Sequence, residues 1–325
     1  MATSMAQIST RSDSIVTGLG ATVVCIRQWV GFIENLFLAG GWVKTSDTGQ
    51  ATTASMSACT LAPQAKGYHI FRMNDALQST APVFVKIEYG CGSFGTGFPA
   101  VWITIGTGSN GSGTITGVKI PRVIVHGYPN GNGFNVPETT PSVISAEGTC
   151  FGSAAPNRVA VVFGAMETVS HEGLTFAIER GQDVNGNDNS DVAFMASGSG
   201  RGTELGIGPI GPMSQYATPT RNFALSLNVI GAVPTGASLT TASFSGESNT
   251  FGVCPIRLFA GQPSNPIRSL VMYTYWDAPA GQPLNMPMYG VSHAYMPCGR
   301  LYDNVGPRLF DGNPDGQASY MMLWE

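Results

Sequence analysis

The sequence predicts a mainly β fold, made of antiparallel β-sandwich-like modules with one N-terminal amphipathic helix. Three observations predict it. Short runs rich in Val, Ile, Leu, Phe and Tyr recur along the chain, most of them bounded by Gly, Pro, Asn or Asp. Only one stretch carries the spacing of a helix face. The strand–helix alternation that builds a parallel sheet is missing.

The helix comes first. From Gly20 to Ala39 the residues Val23, Ile26, Val30, Ile33 and Phe37 recur at steps of three, four, three and four. That is one face of a helix. Arg27, Gln28, Glu34 and Asn35 fall off the stripe, Trp29, Phe32 and Leu36 widen it, and Gly40-Gly41 supplies a stop. Such a stripe must be covered. Either the chain's own domain covers it, or residues 1–40 act as an arm whose stripe docks on a neighbouring subunit. Val23, Ile26, Val30, Ile33 and Phe37 are therefore interface candidates.

Beyond Gly41 the chain reads as strands and loops. Val83–Tyr89 and Ala100–Ile105 are strands, and Gly113–Ile120 is a third that Arg122–Val125 continues past Pro121. Further strands are expected at Arg158–Phe163, Leu174–Glu179, Val192–Met195, Asn222–Val229, Ile256–Phe259 and Leu270–Tyr275. Residues 41–180 form one β-rich domain. Residues 192–325 form a β-rich region that either continues it or stands alone. Gly181–Asp191 and the Gly-rich Ala196–Gly211 are turn-rich stretches, either of which separates two β modules unless both are long surface loops of one.

Composition narrows function. Apolar residues make up 43% of the 325 residues, enough to bury a core. Charged residues are only 11%, against roughly 25% in an ordinary soluble domain. A free monomer normally keeps itself soluble with a charged surface. A neutral surface implies either burial against other subunits or work as a hardy extracellular module. Only four cations are Lys (Lys44, Lys66, Lys86 and Lys119), the rest being Arg, a bias that protein interfaces share. The net charge of -4 argues against a nucleic-acid partner.

Cys25, Cys59, Cys91, Cys150, Cys254 and Cys298 form no CxxC pair and read as buried, reduced thiols. Neither an export signal nor a run of eighteen apolar residues is evident, so the expectation is a protein made in a cytoplasm with no membrane partner.

Motifs for chemistry are weak. GxGxxG occurs at Gly90–Gly95 and Gly106–Gly111, but a dinucleotide site needs a helix next, and strands follow both. Their glycines suit hairpin turns. Asp183, Asn185, Asn187 and Asp191 place oxygen side chains at alternating positions, as calcium loops do. The glycine falls fourth rather than sixth, however, and Phe194 stands where a bidentate Glu belongs. His69, His126, His171 and His293 are scattered, and HExxH and GxSxG are absent. No catalytic residue, cofactor or metal is assigned.

Several segments together resemble virion structural proteins of tailed bacteriophages. They are Gly41-Trp42 with Asp47–Gln50, Gly67–Arg72, Asp75–Gln78, Ala81–Gly90, the Ile105–Gly108 turn, Phe176–Arg180 with Asp183, and Gly290–Gly299. The likeness is best over residues 41–120. It implies a non-enzymatic protein that assembles, in the host cytoplasm, into a phage tail, baseplate or neck. Its partners are then other virion proteins and copies of itself, and its location is the virion. A head decoration (cement) protein is the alternative, as is a receptor- or glycan-binding tail-tip protein that would use Tyr128, Phe134 and Tyr216. Trp42, Trp102, Trp276 and Trp324 offer rigid contact area. The apolar end Ala318–Glu325 is expected to be covered, which makes Trp324 a further interface candidate.

Overall fold

The computed structural model describes residues 1–8, 21–52, 64–91, 99–126, 148–165, 174–183, 185–198, 213–217, 252–257, 266–274, 283–288, 291–298 and 318–325. Within them the chain is mainly β, with one helix and several antiparallel sheets.

The helix α1 spans Ala21–Ala39 and stops through its two glycines. Gly41 takes φ +89°, a left-handed conformation that a Cβ disfavours. The Gly41 N–H then donates to Leu38 O at 3.0 Å and the Trp42 N–H to Phe37 O at 3.0 Å. This pair of bonds is a Schellman cap, and the apolar contact that accompanies it is present, with the Phe37 and Trp42 rings 5.0 Å apart.

A central six-stranded sheet runs β1 (Ala2–Ile8), β9 (Gly148–Ala155), β10 (Arg158–Ala165), β11 (Leu174–Gln182), β12 (Asp188–Gly198) and β13 (Met213–Ala217). A five-stranded sheet runs β2 (Val43–Lys44), β3 (Gln64–Arg72), β4 (Phe84–Cys91), β5 (Pro99–Gly106) and β8 (Ile120–His126). A third sheet runs β14 (Gly252–Arg257), β15 (Pro266–Thr274), β18 (Ala318–Leu323), β17 (Val291–Pro297) and β16 (Leu284–Met288). A small hairpin pairs β6 (Gly108–Ser109) with β7 (Ile115–Thr116).

Strand pleating explains the layering, since alternate residues turn to opposite faces. On the central sheet Cys150, Ala154, Val159, Val161, Phe176, Ile178, Val192 and Phe194 face one core. Across that core lie Phe71, Val85, Ile87, Tyr89, Val101, Ile103 and Ile105 of the five-stranded sheet. The helix fills the space between the two sheets beside β1 and β9, while β8 meets β11 and β12 directly. Trp29, Val30, Ile33, Leu36 and Phe37 are buried there, and Phe37 stacks on Phe71 at 4.4 Å between centroids. The opposite face of the central sheet, including Ala160, Val162 and Ala177, is buried too. There β9, β10 and β11 meet β15 and β18 of the third sheet. The central sheet is thus covered on both sides.

The strand expected at Gly113–Ile120 is corrected. Gly113 and Gly117 take φ +89° and +55°, which turns the chain into the small hairpin, and β8 begins only at Ile120 and passes through Pro121. The strand expected at 222–229 lies outside the described residues. Strands β1, β2, β3, β6, β9, β13, β16, β17 and β18 were not anticipated from the sequence pattern.

Candidate functional site

Where the central and third sheets meet, the described residues gather the chain's densest group of ionic side chains. Strand β11 carries Glu179 and Arg180 as neighbours, so the pleat sends one to each face. Both are buried. The Glu179 carboxylate accepts from the Arg268 N–H at 2.7 Å, the Ser269 N–H at 3.2 Å and the Ser269 hydroxyl at 2.5 Å. Arg268 adds an ion pair to Glu179 at 3.9 Å and reaches Asp188 at 3.4 Å and the Arg180 carbonyl at 3.2 Å. Asn157 donates to the other oxygen of Asp188. The Tyr295 hydroxyl donates to the Arg268 carbonyl at 3.3 Å, and burial, with Glu179 and Glu325 adding to it, pushes that phenol up. On the reverse face Arg180 grips Asp75 through two bonds, Nε at 2.7 Å and Nη2 at 3.2 Å. That bidentate pair ties β11 to the segment after β3.

Arg158 stands opposite Glu179 in register on β10. Burial lowers its pKa, against the pull of Glu179. Its Nη2 meets the Met1 sulfur at 3.1 Å. Chemically the group is a lock: each Glu179 oxygen is engaged by donors from β15, and each carboxylate has a guanidinium beside it. Removing one member strands the others in a low-dielectric layer.

Two smaller nodes support the sheet of β2, β3, β4, β5 and β8. Asp47 takes the Thr45 hydroxyl at 2.6 Å, the Ser109 hydroxyl at 2.7 Å and the Gly113 N–H at 2.9 Å. Burial would raise its pKa, but these donors and the Gly111 N–H outweigh burial and hold the carboxyl below the usual range. Asp47 thereby pins the small hairpin, and Tyr68 closes the same loop by donating to Thr48 O. His69 is fully buried. Its Nε2 lies 2.9 Å from Ala51 O and its Nδ1 3.2 Å from the Tyr89 hydroxyl. Those partners suit a neutral ring that donates from Nε2 and accepts at Nδ1. Burial lowers its pKa, Lys44 adds to this, and the Ala51 bond and Glu34 oppose it.

The residues singled out by sequence fall as follows. Val30, Ile33 and Phe37 have no exposed surface within the chain itself, so this described part of the stripe is covered from inside. The side chains of Val23 and Ile26 lie outside the described ones. Trp324 is half-buried, its ring edge-on to Phe151 at 6.5 Å, and its backbone N–H donates to Ala294 O at 2.8 Å. In the suspected calcium loop, Asp183 Oδ1 accepts from the Asn185 and Asn187 N–H groups, both at 2.9 Å, and Oδ2 from the Asn187 amide at 3.2 Å. With Gly186 at φ +82°, the loop is the turn joining β11 to β12. Asp191 N–H bonds Asn189 Oδ1 at 2.9 Å, apart from that turn. The Gly106–Gly111 motif leads into the small hairpin. A Cβ on Gly106 would stand 2.4 Å from Ile115 Cγ2 and 2.6 Å from Thr116 O, so close backbone approach explains the glycine. Tyr128, Phe134 and the side chain of Tyr216 lie outside the described residues.

Sequence reasoning missed Glu179 and Arg180 as a site. The signal was there: two adjacent charges of opposite sign at the end of an apolar alternation, LTFAIERGQ. No family model matches the chain, and neither a curated protein nor a solved structure matches it.

Proposed function

We propose that the chain is a non-enzymatic structural subunit, a β-sandwich-like module of a large assembly, and that the assembly is the particle of a tailed phage at its tail, baseplate or neck. One observation carries the reading. The chain has 11% charged residues, and many of those described are neutralised within the fold. Lys44 pairs with Glu34, Lys86 and Arg122 with Glu88, Arg180 with Asp75, and Arg268 with Glu179 and Asp188. A chain so poor in charge has a surface that favours contact with other subunits over free dispersal. The resemblance over residues 41–120 points to the phage particle as the host of those contacts.

Quantitative mass spectrometry of purified particles tests this. A copy number in small multiples of three or six supports the tail, baseplate or neck. Hundreds of copies would move the protein to the head surface as a decoration. Finding it free in the lysate and missing from particles would sink the proposal.

A further inference from the structure

If the chain is an assembling subunit, as proposed above, its copies must have a surface by which to join. An edge strand presents a row of unpaired N–H and C=O groups, and proteins blunt such rows with proline, charge or short length. In the described sheets nearly every edge is blunted. Strand β2 and both strands of the small hairpin have two residues. Strand β8 carries Pro121 and Arg122, β14 carries Pro255 and Arg257, and β16 carries Pro287.

The central sheet is the exception, at both of its ends. Strand β1 reads ATSMAQI over seven residues and β13 reads MSQYA over five, with neither proline nor an ionic side chain. Among the described residues β1 pairs only with β9 and β13 only with β12. Met5 is 55% exposed, and Thr3 is exposed beside it.

Direction decides what can pair with what. Every step across the central sheet is antiparallel. Five antiparallel steps leave β13 running opposite to β1. A second copy placed edge to edge in the same orientation therefore sets its β1 antiparallel to β13 of the first, the more stable pairing. Two uncharged edges also meet without like-charge repulsion. A two-fold β1–β1 contact would leave each β13 edge bare. The geometry points to head-to-tail association, β1 of one copy extending the central sheet of the next at β13, so that copies form a ring or filament.

Two lysines placed on the exposed side chains of β1, in the double variant T3K/M5K, should blunt that edge and leave β13 free. Sedimentation of the purified full chain should show wild-type oligomers larger than a dimer and a monomeric variant with an unchanged circular-dichroism spectrum and melting curve. Mixing is the sharper arm. A variant blocked only at β1 still offers β13, so it should cap growing arrays and shorten wild-type oligomers in proportion to its share. A monomeric wild type would overturn the inference, as would a variant that oligomerises normally or a mixture that leaves wild-type oligomers intact. None of those results touches particle membership, which the copy-number measurement decides separately.

Discussion

At the scale of single residues, Asp47 and His69 are both held deprotonated, one as a charged carboxylate and one as a neutral ring, and so give the same sign of pH dependence. The Asp47 carboxyl is held below its ordinary value of 3.8 by its donors. Its contribution is therefore present above pH 3.8 and is lost as pH falls through the lower folded value. Asp47→Asn should cost about 1–3 kcal/mol near neutrality, because four donors lose a charged acceptor. Urea unfolding at a series of pH values checks it: the gap between wild type and variant should close in acid. His69 is held neutral, its pKa below the ordinary 6.5. The folded state thus binds a proton less readily than the unfolded chain. Stability is full above pH 6.5 and declines as pH drops from there toward the folded value. A urea midpoint that stays flat from about pH 7 to about pH 5 would contradict this assignment of the neutral ring. Neither residue was legible as a node. Asp47 finds Ser109 and Gly113 across more than sixty positions of sequence, and no local pattern encodes such a contact.

At the scale of elements, the helix was the most legible part. Its stripe and its glycine stop were both visible, and α1 occupies Ala21–Ala39 as the spacing implies. What covers the stripe was not legible, because an apolar face states only that it needs a neighbour. Part of that neighbour proves to be β9, whose sequence GTCFGSAA has little β propensity and was passed over as a strand. Small residues there serve approach rather than propensity. A Cβ on Gly152 would stand 2.5 Å from Leu36 Cδ2, and one on Gly40 would stand 2.3 Å from the Ala154 Cβ. Gly40→Ala should therefore destabilise by about 1–3 kcal/mol as an overpacking change. Pairing it with Ala154→Gly should return much of the loss. A double-mutant cycle by chemical denaturation measures that coupling, and simple additivity would show that the two positions do not touch. The apolar alternations at 84–91 and 99–106 were readable because Val85, Ile87 and Tyr89 on one strand and Val101, Ile103 and Ile105 on the other alternate into the core. Residues 113–119 misled because glycines with positive φ break the run where composition alone suggests continuity.

At the scale of the whole molecule, the arrangement is three layers sharing the central sheet, and the ionic lock is what joins the outer pair to it. Apolar burial alone is non-directional and would tolerate several placements of the third sheet on β9, β10 and β11. Glu179 removes that freedom, since its two oxygens are matched to consecutive backbone N–H groups, those of Arg268 and Ser269, at one register of β15. Retaining buried charge in so uncharged a chain is understandable if it specifies placement rather than adding net stability. The sequence showed an acid beside a base at 179–180, but the partners lie 89 and 105 positions away and could not be read from it. Glu179→Gln keeps the shape of the side chain and removes its charge, leaving Arg268 with Asp188 alone and Arg158 without the carboxylate that faces it in register. The expected cost is about 3–5 kcal/mol, the range for breaking one side of a buried pair. Hydrogen exchange should localise it: amides of residues 266–274 and 318–323 lose protection, while those of 84–91 and 99–106, two layers away, keep theirs. Uniform loss of protection across all three sheets would mean that the layers unfold as one cooperative unit, and that Glu179 supports the fold globally rather than fixing the third sheet in register.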